Sequence, residues 1–359
     1  MPRSTLPRPA PLVSIVIPTQ RRPGPLDSAV ASALEQQTDD FAVEVVIVDN
    51  DPAGSARPQA ARLAKGAVMP VRYVHAPEPG VANARNAGTA AARGQFIAFL
   101  DDDEIASPGW LSSLIEVQRL FDADVAFGPV RARLPEGPIR HRDYLASFFS
   151  RLGPDEACTI LDGPGCGNSL VRKEAMPRGA EPFARERNGI GGEDDLLFAT
   201  MKTAGARFAW APDAWVWELP EPSRLSLDYT LRRAFAFGQG PASTAWARGP
   251  QGWPLAPVWM AIGALQVLLY GGRAVIDAMT RSPDLAYTLD HVAQGLGKVL
   301  WFPPFKIRFY GQPAQAAPAL VSSISAPPPV RQGETHERHQ PLESRPGRKL
   351  RPRQPPVPA

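Results

Sequence analysis

Apolar positions along the first third of the chain follow two alternating rhythms. "VSIVIPT" (13–19), "VEVVIVDND" (43–51), "VRYVHA" (71–76) and "QFIAFL" (95–100) are short runs rich in β-branched residues, and they read as buried strands. Between and after them the apolar residues recur at helical spacing. "LDSAVASALEQQ" (26–37) predicts a helix starting near Asp27 or Ser28. "GVANARNAGTAAARG" (80–94) predicts an Ala-rich helix bounded by Gly80 and Gly94, and "PGWLSSLIEVQRLF" (108–121) one with Pro108 near its first turn. Strand-helix alternation on this scale predicts a doubly wound α/β sheet, mixed but mostly parallel, with helices on both faces. Right-handed crossovers put the strands' C-terminal ends on one edge, where such sheets bind ligands.

Three polar clusters fall at that edge: Pro18-Thr19, Asp49-Asn50-Asp51, and the acids Asp101, Asp102, Asp103 and Glu104. Four adjacent carboxylates repel one another unless solvent or a cation intervenes, and close carboxylates suit hard divalent cations such as Mg²⁺ or Mn²⁺. A solvated acidic loop before the next helix is the plainer reading of "DDDE" alone, and the convergence of three clusters weighs against it. No GxGxxG follows the first strand, which excludes a Rossmann dinucleotide site there; GxxxxGK[ST], GxSxG and HExxH are also missing.

Composition changes this picture little. The net charge of +3 over 359 residues is uneven. Residues 330–359 carry seven Arg or Lys against three Glu, so the basic character belongs to a tail and gives no reason to expect nucleic acid. Residues 312–359 also hold eleven of the 41 prolines and read as a disordered basic tail. Two cysteines, Cys158 and Cys166, form no disulfide framework or metal motif. The first ten residues read as a flexible N-terminus; they lack an apolar run, so no secretory signal is expected.

The motifs "VSIVIPT", "VVIVDND", "PGVANARNAG", "FIAFLDDDE", "GGEDDLLF" and "LRRAFAFGQG" occur in the order and spacing of family-2 glycosyltransferases of the GT-A fold. The resemblance covers about residues 11–245 and is closest to bacterial exopolysaccharide enzymes of the succinoglycan-biosynthesis type. It implies an inverting hexosyltransferase with a nucleotide-sugar donor, a UDP-sugar above all, and Mg²⁺ or Mn²⁺. It divides the chain into a nucleotide-sugar half (11–130) and an acceptor and catalytic half (131–250).

By that resemblance Pro18 and Thr19 edge the base, Asp49 accepts from it, and Arg85 and Asn86 face the donor. Asp101 lies near the ribose, Asp102 contacts sugar hydroxyls or metal-bound water, and Asp103 binds the metal with Asp101. Gly167 and Asn168 of "CGNSLVRKEA" form the acceptor floor, joined by Gly192 and Arg233. Asp194 is the general base: a single carboxylate opposite the leaving group removes the acceptor's proton and gives inversion in one displacement. Glu193 orients it. Many relatives place a His after the strand that follows this helix; here Glu218 stands there, a candidate metal ligand or a partner of Arg224 or Arg233. Two other classes share some features. A nucleotidyltransferase would need a Gly-rich basic loop that "TQRRPGP" supplies poorly, and a non-catalytic sugar-nucleotide-binding protein would lack one of the acid motifs.

Beyond the motifs, residues 249–272 carry no charge and "PVWMAIGALQVLLYGG" (257–272) is strongly apolar. That run is shorter than a membrane span, with Pro254, Pro257 and Gln266 interrupting. Residues 251–311 therefore read as helices lying on a membrane, with Trp253, Trp259, Tyr270 and Arg273 at the interface; a helix packed on the domain is the alternative. The expected setting is the inner face of the bacterial plasma membrane, where a glycan or lipid-linked acceptor would be met.

Overall fold

The computed structural model describes residues 12–37, 40–179, 181–188 and 191–307. The expected N-terminal extension and basic tail lie outside these residues.

Strands β1 (Leu12–Thr19), β2 (Ala42–Asp49), β3 (Val71–His75) and β4 (Phe96–Phe99) form one half of an eight-stranded sheet. They are parallel and lie in the order β3-β2-β1-β4. Their inward residues, among them Ile15, Ile17, Val45, Ile47 and Ala98, are wholly buried, as continuous apolar runs require in a sheet covered on both faces. Helices α1 (Pro23–Leu34), α2 (Arg57–Ala64) and α3 (Val81–Ala91) make the crossovers. α1 starts ahead of Asp27 because Pro23 at its first turn already has a helical φ. α2 escapes the periodicity analysis: "RPQAARLA" buries only Ala60, so it carries no apolar stripe.

After β4 the chain forms β5 (Glu104–Ala106), α4 (Trp110–Phe121), β6 (Val125–Phe127), β7 (Val130–Ala132), α5 (Arg142–Phe148), β8 (Cys158–Ile160) and β9 (Ser169–Arg172). Helix α6 (Glu193–Thr203), β10 (Phe208–Trp210) and β11 (Val216–Glu218) complete the domain. The large sheet continues β4-β9-β6-β10-β8, with β9 and β8 antiparallel to their neighbours. This is the mixed, mostly parallel architecture expected. β5, β11 and β7 form a second, three-stranded sheet that sets Glu104 opposite Glu218.

Asn168 joins the two sheets. Its side chain is wholly buried. Its Oδ1 accepts from Trp110 Nε1 at 2.6 Å, and its Nδ2 donates to the carbonyls of Pro129 and Ala214 at 2.9 and 2.8 Å. The backbone sits at φ 59°, a left-handed conformation Asn tolerates better than most residues. Every polar atom of the amide is used inside the protein, which fixes the backbone stretch expected to form the acceptor floor.

Three helices follow: α7 (Leu227–Ala247), α8 (Leu255–Thr280) and α9 (Leu285–Val299). α8 is longer than the apolar run suggested, because the Arg273–Asp277 pair (2.7 Å) carries the helix on. It is long and apolar enough to cross a membrane by length and composition, with mean hydropathy 1.5 and only 11% of that window buried. Gln266, read as an interruption, instead binds α9: it donates to His291 O at 2.8 Å and accepts from Lys298 Nζ at 2.9 Å. α7 meets α9 at Gly238, where any side chain would strike the backbone of Gln294.

Asn168→Ala should lower the unfolding free energy by about 3 kcal/mol, since it strands a buried indole N–H and two carbonyls. Urea unfolding measures this; an unchanged midpoint would show that these hydrogen bonds do not hold the fold.

Candidate active site

The sheet's topology brings the polar ends of β1, β2 and β4 together, and β1 and β2 end in register at Thr19 and Asp49. Thr19 Oγ1 donates to Asp102 Oδ2 at 2.7 Å. Arg22, just before α1, bridges Asp102 and Asp103 at 2.9 Å each and reaches Glu221 at 3.0 Å. Arg224 pairs with Asp103 at 3.5 Å. Neither arginine was expected on the acid cluster; the signal for Arg22 lay in "TQRRPGP", which the loop after β1 delivers to the neighbouring strand's end.

Arg85 is the second junction. It is almost fully buried, donates through Nη1 to Glu193 at 2.5 Å and through Nη2 to Asp101 at 3.1 Å, and lies 3.8 Å from Asp194. Its Nε has no acceptor among the described residues. One guanidinium thus joins the acids after β4 to the acids opening α6. Gly167 allows this approach, since a Cβ there would sit 2.7 Å from Asp101 Oδ2.

The two acids of α6 differ in aspect. The Glu193 side chain is 4% exposed and that of Asp194 21%. Burial raises the Glu193 pKa, with Arg85 opposing and Asp194 adding to the rise. Burial also pushes Asp194 upward, but Arg85 and the amides of Cys166 and Asp195 outweigh it, so this carboxyl stays below its usual range. Asp194 Oδ2 accepts from Cys166 N at 3.0 Å and Oδ1 from Asp195 N at 2.9 Å. It is the ionised, accessible carboxylate of the pair.

Glu104 and Glu218 lie beneath. Burial, then the charges of Asp101 and Glu218, drive the Glu104 pKa well up, although Arg151 stands 3.5 Å away. Arg224 pairs with Asp103 at 3.5 Å, and Arg233 lies over the Phe237 ring at 4.9 Å. Burial, then the charge of Asp103, raises Glu218 to about 7, and burial, chiefly, raises Asp102 to about 6.

Two of the expected donor-side residues also make internal hydrogen bonds. Asp49 is fully buried; its oxygens accept from the amides of Asp51 (3.0 Å) and Ala56 (2.8 Å) and from Tyr73 OH (2.9 Å), so it ties down the loop after β2. Asn86 exchanges two hydrogen bonds with the backbone of Phe183, at 2.8 and 2.9 Å. These bonds hold both side chains in place and leave each with hydrogen-bonding capacity unused. Pro18 remains half-buried at the crevice edge, and Gly192 caps α6 with φ 78°.

Among the described residues no three His, Cys, Asp or Glu side chains are arranged to hold a metal ion. The donor chemistry nonetheless fits one. Asp101, Asp102, Asp103, Glu104, Glu193, Asp194 and Glu218 outnumber Arg22, Arg85, Arg151 and Arg224, the arginines paired with them. A divalent cation with oxygen ligands answers that excess.

The glycosyl transferase family 2 model matches residues 14–178. The succinoglycan biosynthesis protein ExoM of Rhizobium meliloti (strain 1021) is 34% identical over 240 residues, covering 67% of this chain and 75% of its own. The chain belongs to glycosyltransferase family 2. A pre-mycofactocin glycosyltransferase of Mycobacterium tuberculosis (strain ATCC 25618 / H37Rv) is 32% identical over 70% of this chain, which spans 51% of that relative. A crystal structure of S. aureus TarS 1-349 superposes at TM-score 0.46 with 15% identity, over 80% of this glycosyltransferase and 89% of that chain.

The buried acids give this family 2 enzyme a pH signature. The folded protein keeps a proton at Glu218 that the unfolded chain releases above its ordinary value of 4.5. That contribution to stability is complete below this value and is lost as pH rises through about 7. Glu218→Gln should therefore unfold at higher urea than the parent at about pH 8, and at the same urea near pH 4.5, in buffer with chelator. Equal midpoints at both values would mean that Glu218 titrates normally.

Proposed function

We propose that this family 2 glycosyltransferase is an inverting hexosyltransferase. It moves a sugar from a nucleotide donor, a UDP-sugar by preference, to a hydroxyl of a glycan or lipid-linked acceptor in exopolysaccharide or cell-surface polysaccharide synthesis. The observation that carries the reading is Arg85, which contacts both Asp101 on the donor side and Glu193 on the acceptor side. The likeness to ExoM supports the polysaccharide setting.

In this scheme Asp194 accepts the acceptor hydroxyl's proton while that oxygen bonds the anomeric carbon and the bond to the diphosphate oxygen breaks. A carboxylate held ionised is ready for this without a prior deprotonation. Glu193, locked on Arg85, keeps Asp194 in place. Asp103 with Asp101, and Glu218 as a third oxygen donor, would hold Mg²⁺ or Mn²⁺, which stabilises charge on the departing nucleoside diphosphate. Thr19 fixes Asp102, and Pro18 edges the base.

The setting is the cytoplasmic membrane surface. On α8, Leu265, Leu268, Val275, Ile276 and Met279 are more than half exposed, an apolar face too continuous for water. A peripheral helix lying in the headgroup region would cover it.

UDP release from a panel of UDP-hexoses, with and without lipid-extract acceptor, tests the assignment. Asp194→Asn should lower transfer by about 10² to 10⁴ and leave UDP affinity within a few-fold; near-normal turnover removes Asp194 from the mechanism. In flotation with anionic vesicles the parent should rise with the lipid, whereas the Leu268→Glu, Met279→Glu double variant should stay at the bottom. Equal flotation would show that α8 is not the membrane face.

A further inference from the structure

A cavity of about 470 Å³ opens beside the crevice, within the size range of small-ligand sites. One wall is a stripe of α7, with Phe237, Gly240, Thr244 and Arg248 recurring at helical spacing. Trp259 at the start of α8 forms the opposite side, and Asp195 of α6 closes one end. Asp195 is the residue after Asp194, so the cavity lies at the same helix start as the candidate base.

The lining mixes two chemistries. Phe237 and Trp259 offer aromatic surface, and Phe237 is 57% exposed although it lies in a concave site. Asp195, Thr244 and Arg248 offer hydrogen-bonding groups at its edges. Arg248 has no ion-pair partner among the described residues, whereas the arginines of the crevice are all paired. Gly240 leaves the cavity open: a Cβ there would meet nothing within 4 Å, while Gly238, two residues earlier, is pressed against α9. The "GQG" of "LRRAFAFGQG" therefore splits its work between helix packing and cavity.

We propose that this cavity is an acceptor subsite that holds the sugar ring preceding the one glycosylated. A pyranose ring has an apolar face that suits Trp259 and Phe237 and a rim of hydroxyls that suits Asp195, Thr244 and Arg248. An alkyl chain would leave the hydrogen-bonding groups of Asp195, Thr244 and Arg248 unused. The inference rests on the transferase reading for its direction. The cavity's position then decides which acceptors are taken, because it orients the next hydroxyl toward Asp194.

Saturation-transfer NMR on the full chain with cellobiose, lactose and laminaribiose tests this, with melting temperature confirming the fold of each variant. At least one disaccharide should give a saturable signal. Thr244→Trp, which fills the cavity from an exposed position, and Arg248→Ala should each weaken it tenfold or more. No saturable signal from any of the three, or one unchanged in both variants, overturns the proposal. So does binding of octyl glucoside without binding of methyl glucoside, which would make the cavity an alkyl-chain site. UDP affinity measured by calorimetry on the same samples reports the donor side separately: glycan binding lost in the variants without any UDP binding in the parent would leave the subsite standing and remove the nucleotide-sugar reading.

Discussion

The arrangement depends on one buried guanidinium. Arg85 stands between Asp101, at the end of a sheet strand, and Glu193 and Asp194, at the start of a helix more than ninety residues later. Carboxylates so close and so little hydrated would otherwise repel one another or take up protons. Removing the charge that pairs them would cost about 3–5 kcal/mol, because the acids would remain buried and uncompensated. The two halves of the domain thus meet at the site by electrostatic necessity as much as by apolar packing.

Arg22 applies the same principle on the other flank, where Asp102, Asp103 and Glu221 share it. Together the two arginines keep a dense acid cluster folded without fully neutralising it. What remains is an electronegative crevice that favours a cation, bounded by one carboxylate, Asp194, that stays ionised and within reach of solvent. In the proposed mechanism Arg85 stands between the base, Asp194, and Asp101 on the donor side.

The C-terminal helices extend this logic outward. Small residues at Gly238, Gly263 and Gly295 let α7, α8 and α9 approach closely, which leaves the other side of α8 exposed and apolar. The same packing sets Trp259 across from Phe237 and opens the cavity next to Asp195. The exposed apolar face and the cavity both follow from the same helix packing.

Much of this was legible in the linear chain. Continuous β-branched runs can be satisfied only by a sheet covered on both faces, so the parallel half and the convergence of its polar ends followed from pattern alone. The acid motifs marked the site because like charges in a row at a strand's end require an explanation. Side-chain partners were not legible. Asp49, Asn86 and Asn168 have the residue types of ligand contacts, yet each also holds an internal partner: the amide of Ala56, the carbonyl of Phe183 and the carbonyl of Ala214 respectively. Arg22 and Arg151 looked like ordinary surface charge until the fold carried them to the acids. Sequence determined which segments are strands, which helices, and where polar chemistry gathers, because those follow from local periodicity. Only tertiary structure decided which polar groups are satisfied internally and which stay available, because a hydrogen bond or ion pair depends on distances between residues that the chain order does not contain.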